Sequence, residues 1–378
     1  MRIASNGTTP AANRSELYER ACVFRAGSND TVRSNPQAAQ RDLRTASASD
    51  TPQPNMIDSR SVHCTPPSAG KEPAAFANPD VTTASWFVVG RSAALSPGTV
   101  QTATVGSRRL ALYRTDTGKP HVLDARCPHL GADLGQGSVD GDRLQCPFHH
   151  WQFGPDGWCR HAPGHARTPE RRTRSVPVQE KHGLVWAYLG GGPAFAVPGP
   201  PNDTAWWTLR PPSQTIECHP HLVIANGLDT NHFTALHGMK MTAEPELTVD
   251  APHRVTVTLQ GRPTSNWLRW LTGTRTQSLR ASFTTIGGHL AWTAVQAPVR
   301  FYVLFTARPT PGGRTRTQVV FFLPRTLGAD LVRAVASMYV LLHDDRRILD
   351  NLDFTGSLTD EDSALQAFAT LVNDLQRL

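Results

Sequence analysis

Two short runs, Cys127-Pro128-His129 and Cys146-Pro147-Phe148-His149, restrict this chain more than any other feature, and sixteen residues lie between them. Each run brings one Cys and one His within a few positions, beside a turn-favouring Pro. Two thiolates and two imidazoles are the ligand set of a [2Fe–2S] centre in which two His replace two Cys on one iron. The gap leaves room for a strand between the loops, so that each loop tip supplies one Cys and one His. A Cys2His2 zinc site accepts the same ligands. Zinc fingers, however, pair Cys with Cys and His with His along the chain, whereas each half here mixes the types. The pattern predicts a cluster held by Cys127, His129, Cys146 and His149.

The chain has 378 residues, 39 % of them apolar, and a net charge of +7, which is enough for two modest domains with cores of their own. Six Cys, two of them assigned to the cluster, do not form a disulfide framework, and a reducing, cytoplasmic compartment is expected. No secretory pattern and no membrane span is read; the longest apolar run, 332–342, is interrupted by Arg333 and Ser337. The basic charges look dispersed, with no basic helix interleaved with exposed aromatics, so no nucleic-acid partner is expected.

Residues 1–84 are rich in Ser, Thr, Ala, Asn, Pro and Arg and hold none of the nine Trp. Such a segment buries too little apolar surface to offset its ordering entropy, and it reads as a disordered tail. Met56 lies inside it, and a start there would keep every motif named here. Residues 85–195 read as a small β-sandwich. Strands 100–105 and 108–114 form a hairpin about Gly106-Ser107, and 117–119 is a turn leading through 121–123 to the first loop. Segments 143–146 and 151–153 frame the second loop, and 176–180 and 184–189 make a last hairpin before Gly190-Gly191-Gly192. Cys159 and His161 read as a packing Cys and a surface His, because the four cluster places are filled. Arg171-Arg172-Thr173-Arg174 reads as a solvated loop, with docking of an acidic electron donor as the alternative.

A second constellation lies in residues 196–378. His232 and His237 follow Asn226-Gly227-Leu228-Asp229. Two His and one carboxylate on one face of an iron, with other positions open, make an O2-activating non-haem site. Five residues correspond to about 140° around an ideal helix, so the pair can chelate one ion only if the helix ends or widens between them. Strand-like runs at 247–259, 278–285, 290–297, 301–307 and 315–323 predict an antiparallel sheet around an apolar pocket, and 329–352 has helical periodicity.

The flanking residues carry a family resemblance. His129-Leu130-Gly131-Ala132, Cys146-Pro147-Phe148-His149-His150-Trp151-Gln152-Phe153 and Asn226-Gly227-Leu228-Asp229-Thr230-Asn231-His232 resemble the α-subunits of the Rieske non-haem iron oxygenases. The resemblance covers about 86–378 and is nearest the steroid 9-hydroxylase, cholesterol 7-desaturase and aminopyrrolnitrin oxygenase branch. It implies an α+β fold: a Rieske β-sandwich domain, then a helix-grip catalytic domain of antiparallel sheet plus long C-terminal helix. It implies His232 and His237 as iron ligands, Asn226 as a polar residue near the iron, and Asp229 as a bridge between a cluster His of one subunit and an iron His of its neighbour. Two residues separate Asn226 from Asp229, as in the shorter monooxygenases. Of the acidic pair after His343, the second acid, Asp345, is the implied third ligand; Asp344 competes, and Asp350 and Asp353 read as solvated.

High-potential Rieske proteins brace their loops with a disulfide at the places taken here by Ala132 and Phe148, and they put a hydroxyl where Trp151 stands. A low-potential cluster is therefore expected. His150 departs from the family, where Gly is common. The implied function is O2-dependent oxidation, most simply mono-oxygenation, of a hydrophobic ring-containing compound. Electrons would come from a ferredoxin or NAD(P)H-dependent flavin reductase through the [2Fe–2S] cluster to a mononuclear Fe(II), in a homotrimer. A stand-alone Rieske electron carrier and a zinc-stabilised binding module are the alternatives.

Overall fold

The computed structural model describes residues 74–378, apart from 251, 275–276, 329 and 355. Residues 85–189 build three small antiparallel sheets. Ser85–Arg91 and Val178–Lys181 flank Leu184–Leu189 in the first; Val100–Val105, Arg108–Arg114, Pro120–Asp124 and Ser175–Val176 form the second. The third, Ser138–Asp140, Arg143–Gln145, Gln152–Phe153 and Cys159–His161, carries the second cluster loop.

The middle sheet is covered on both faces, and its central strand shows why. Leu110 and Leu112 pack with Phe87, Val185 and Leu189, while the alternate residues Ala111 and Tyr113 pack with Leu144, Phe153 and both cluster Cys. Side chains alternate across a strand, so a near-continuous apolar run serves two cores. The expected sandwich thus carries a third layer. The run 176–180 is not one strand. Pro177 has no N–H to give a ladder, and Val176 pairs with Val122 in one sheet while Val178 pairs with Ala187 in another.

Residues 206–324 form a nine-stranded antiparallel sheet, among them Arg254–Pro263, Leu279–Ile286, Leu290–Ala297, Phe301–Pro309 and Thr315–Pro324 in consecutive pairing. The run 247–259 is a hairpin rather than a strand: Glu246–Asp250 folds back on Arg254–Pro263. Among the described residues, five α-helices accompany the sheet: α1 (Pro220–Ala225), α2 (Thr230–Ala235), α3 (Asn266–Thr272), α4 (Asp330–Leu349) and α5 (Ser363–Asp374). Leu331, Ala334, Val335, Met338 and Leu342 of α4 pack on Ala281, Val295, Val303 and Phe321, laying the long helix across one sheet face. The other face meets the cluster-bearing part. Trp86, Leu184, Trp186 and Tyr188 share a core with Ile286, Leu290, Leu304 and Phe322.

The tail boundary at 84 is corrected by packing. Ala75 is fully buried, and the Asn373 carboxamide oxygen accepts from the N–H groups of Ala75 (2.7 Å) and Phe76 (3.0 Å). Phe76 stacks edge-on against Phe354 and Phe368, and Thr83 bridges to Arg377. The apolar side chains of residues 74–84 are mostly alanine, with Phe76 and Val81 the larger ones, and the C-terminal segment supplies their partners. The earlier part of the expected tail, including Met56, lies outside the described residues.

Candidate metal centres

The two cluster loops share one backbone plan. In the first, the Cys127 N–H donates to the Ala132 carbonyl (2.9 Å) and the Gly131 N–H returns to the Cys127 carbonyl (2.9 Å). In the second, Cys146 pairs with the Trp151 carbonyl (2.8 Å), and the His150 N–H with the Cys146 carbonyl (3.2 Å). Each loop needs a left-handed residue four positions after its Cys. Gly131 (φ +81°) supplies it in one and His150 (φ +57°) in the other. A side chain there costs about 1 kcal/mol or more, which is why Gly is favoured at such places.

Both thiols are buried and free, and the His129 and His149 rings stand 4.6 Å apart. Trp151 lies flat under His129 at 4.4 Å and is itself buried, so it fixes that ring's orientation. Burial pushes the Cys127 thiol up to about 11, while the backbone N–H groups of His129 and Leu130 act to lower it. A buried thiolate needs a cation, and amides aimed at the sulfur are the setting of a metal–thiolate bond. The four side chains fit the cluster that their spacing suggested. Cys159 is buried among apolar neighbours and His161 is exposed. Arg172 stacks over Trp158 at 5.5 Å and Arg174 donates to the Gly190 carbonyl, so the 171–174 run is partly anchored.

The second set is built around a broken helix. α1 ends at Ala225, a single 3-10 turn follows over Asn226–Leu228, and Asp229 (ψ 101°) interrupts the helix before α2 begins. The Asp229 carboxylate caps α2, accepting from the N–H groups of Asn231 (2.9 Å) and His232 (3.2 Å). α2 stops at Ala235, so His237 leaves the helix and swings to the side occupied by His232. The 140° mismatch is resolved in that way.

His232 Nδ1–H donates to the Asp229 main-chain carbonyl (2.5 Å), which leaves Nε2 to carry the lone pair. Asp345 arrives from α4. Its Oδ1 stands 2.8 Å from His237 Nε2 and 3.6 Å from His232 Nε2. Donor atoms about 2.1 Å from one ion and at right angles would be about 3 Å apart. His232 Nε2 is buried without a hydrogen-bond partner, and His237 is nearly inaccessible. Burial lowers the His232 pKa against the opposing pull of Asp345, keeping the imidazole neutral, as a ligand must be. Among the described residues, these three form the group of His, Cys, Asp or Glu whose donor atoms all lie within 4.8 Å. They fit a single divalent ion. Asp344 is not in the group; Asp350 pairs with Arg346 (3.1 Å) and accepts from the Glu217 N–H, and Asp353 is exposed.

Asn226 and the three ligands line a cavity of about 430 Å³ whose other walls are largely apolar, among them Phe233, Phe283, Phe301 and Met338. Sequence reading had not singled these out. Alternation in the strands marks which residues face inward, but not which of the two faces encloses a cavity. Equally unmarked were the buried His221 and His289 and the half-buried His219, whose neighbouring ring centroids lie 4.6 and 5.0 Å apart. The Ala77 N–H donates to His221 Nδ1.

A loop pair bearing two Cys and two His and a His-His-Asp donor set at an apolar cavity thus lie in one chain. Residues 85–178 match the Rieske [2Fe-2S] domain. The chain therefore carries a Rieske [2Fe-2S] domain and is similar over about two fifths of its length to oxygenase components. It is 35 % identical over 168 residues to the oxygenase component of chloroacetanilide N-alkylformylase from Rhizorhabdus wittichii, covering 42 % of this chain and 48 % of that one. It is 38 % identical to a cholesterol 7-desaturase of Xenopus laevis, over 40 % of this chain and 35 % of the relative. With the oxygenase component of 3-ketosteroid-9-alpha-monooxygenase from Rhodococcus rhodochrous the identity is 33 %, over 40 % and 42 %. The matches thus span less than half the length of these curated relatives. The fold extends further: dicamba monooxygenase bound to dicamba superposes with a TM-score of 0.60 at 20 % identity, covering 76 % of this chain and 95 % of the other. Among the described residues no helix is long and apolar enough to cross a membrane.

Proposed function

We propose that this chain is an oxygenase component that oxidises a hydrophobic ring-containing compound with O2, most simply by mono-oxygenation. The observation that carries the reading is the His232–His237–Asp345 donor set opening on an apolar cavity in a chain that also bears a Rieske domain. Cys127, His129, Cys146 and His149 would hold the [2Fe–2S] cluster, and His232, His237 and Asp345 a mononuclear Fe(II). When bound, the cluster supplies electrons singly and the iron, with open positions, supplies O2 activation.

The chain's own residues prepare that chemistry. The apolar walls bind the substrate by burial and exclude water from the ligands. Asn226 offers an amide to orient a polar group of the substrate. The Asp229 carbonyl fixes the His232 tautomer, and the Asp229 carboxylate holds the start of α2. That carboxylate caps with Oδ1 alone, and the bridging role toward a neighbour's cluster His rests on its remaining acceptor capacity. Leu130 and Phe148, exposed at the two loop tips, suit an interface beside the cluster. They favour a homotrimer of head-to-tail contacts and a ferredoxin or flavin reductase as the donor. Residues 85–195 and 196–378 are the two functional domains on this reading, and the compartment is cytoplasmic. The relatives' printed names, with chloroacetanilide, cholesterol and 3-ketosteroid among them, point to the substrate class.

Substrate-dependent O2 uptake tests the function. The iron-loaded chain, supplied with a generic ferredoxin, reductase and NADH, is screened against sterols, ketosteroids and chlorinated aromatics. Uptake that follows one class and yields an oxygenated product is the expected result. Reduction of the cluster with no uptake for any class, in protein shown to contain the extra iron, would contradict it.

A further inference from the structure

The cavity floor is the inner face of the sheet, and its centre carries a hydroxyl. Thr293 stands in the strand Leu290–Ala297, opposite Phe283 on one side and Val303 on the other. Ala291 and Val295, two positions before and after it, line the cavity with it. The alternate residue Trp292 turns away, stacking on Tyr302 and packing against Phe322 behind the sheet. Thr293 is therefore a polar side chain flanked on four sides by apolar ones, and it is only 8 % exposed.

The other threonine and serine hydroxyls that line the cavity are all engaged. Thr272, Thr285, Thr317 and Ser337 donate to main-chain carbonyls, of Leu268, Val255, Gln214 and Ala334 in turn. Thr284 pairs with the Thr256 hydroxyl at 2.9 Å. Among the described residues, no donor or acceptor meets the Thr293 hydroxyl. Strand propensity does not call for Thr here, because Val is β-branched in the same way. A buried hydroxyl without a partner costs stability, whereas Val would leave nothing unpaired. The chain thus keeps a polar group where folding gains from its absence, which is the pattern of a group held for a ligand.

Its place relative to the ligand set is fixed by Phe283. The Phe233 ring, next to His232 in the chain, lies 5.9 Å from the His237 ring and 5.0 Å from the Phe283 ring. Thr293 is one strand beyond Phe283, about 5 Å across the ladder. A Cβ on Gly227 would come 3.3 Å from Phe283, which puts the Asn226–Gly227 backbone over that same ring. A ring system lying on Phe283 therefore reaches from the ligand set to Thr293.

We infer that Thr293 is a specificity-determining residue of the cavity. Its hydroxyl bonds a ketone or hydroxyl oxygen on the substrate's ring system, at the end away from the carbon that is oxidised. The inference rests on the oxygenase reading above and narrows its substrate class to ring systems that already carry an oxygen. A plain hydrocarbon skeleton would leave the hydroxyl unpaired and would not be held in one orientation.

The test is equilibrium dialysis of the full-chain holoprotein, without reductant or O2, against two matched pairs: decalone with decalin, and cholestanone with cholestane. Wild type is expected to hold each ketone more tightly than its hydrocarbon, once each is corrected for its partition into octanol. Thr293→Val should cut that preference about fivefold to tenfold, the worth of one hydrogen bond, while hydrocarbon binding, metal content and the cluster spectrum stay as they were. Its thermal midpoint should equal or exceed that of wild type, because a partnerless hydroxyl has gone. Thr293→Ser keeps the hydroxyl and should keep the preference. A wild type that binds none of the four, or that shows no preference, overturns the inference, as does a preference unchanged in Thr293→Val. So does a lower thermal midpoint in that variant, which would show the hydroxyl bonded within the chain. No turnover is read, so failure here leaves the oxygenase reading standing, and failure of that reading shows in O2 uptake instead.

Discussion

The two candidate ligand sets are built in opposite ways. The cluster ligands lie within 23 residues, on two loops of the same plan, each closed by a reciprocal pair of backbone hydrogen bonds. The mononuclear set spans 232 to 345 and depends on a helix that stops, a chain that turns, and a second helix laid across a sheet. A local site is written in spacing alone. A distant one is written in the packing that brings its parts together, so it should be the easier to disable without unfolding the protein.

The largest effect is therefore expected at Asp345. Asp345→Ala should abolish the mononuclear iron and all turnover while the cluster spectrum stays intact, and Asp344→Ala should keep most of that iron. Metal analysis beside the visible spectrum decides. The reverse pattern would move the ligand by one residue. Asp229→Asn comes next. Asn caps helices as well as Asp does, so stability and metal content should hold. Turnover should drop by roughly 10–100-fold if the charge serves the contact between subunits. Wild-type turnover would leave only the cap.

The third expectation concerns the segment 74–84, which belongs to neither metal set but packs beside the second. A chain begun at Met56 keeps it and should fold and load both metals. One begun at Ser85 loses Ala75, Phe76 and Thr83 from their contacts. That should cost about 2 kcal/mol or more, judged from the loss of a half-buried Phe and a fully buried Ala, and urea midpoints would show it.

The same region sets a pH limit. Burial lowers His219 to about 4 and His289 to about 3, and holds His221 well below its ordinary value. The unfolded chain takes up these protons near 6.5 and the folded one resists them. Stability is then fully present above about pH 6.5 and falls as pH drops from there toward 3. Denaturation at pH 7, 5 and 4 should show the loss, and His221→Phe should flatten it. A slope unchanged in that variant would place the acid sensitivity elsewhere. The smallest effect is at His150, where Gly at φ +57° should relieve about 1 kcal/mol, less the entropy that glycine adds to the unfolded chain.

The contrast also explains what was legible beforehand. Alternation and Gly-containing turns placed most strands from 100 to 189, though not Ser138–Asp140 or Cys159–His161, and those from 279 to 324, within a residue or two at most ends, because local chemistry decides them. It failed at Pro177, where one apolar run serves two sheets, and at 247–259, where a hairpin reads as a continuous strand. α3 and α5 are short, and their helical state rests on Leu268 and Leu271 or Phe368 finding a core. Ala75 and Phe76 look like tail residues because their partners, Asn373 and Phe368, lie some 300 positions on.

The central claim is that one chain holds a [2Fe–2S] cluster and a separate single iron. Its most direct test is the iron and acid-labile sulfide content of anaerobically purified protein. About three irons to two sulfides are predicted, falling to about two irons to two sulfides in Asp345→Ala. A wild-type ratio of about two to two in protein saturated with Fe(II), or zinc with no visible colour, would contradict it.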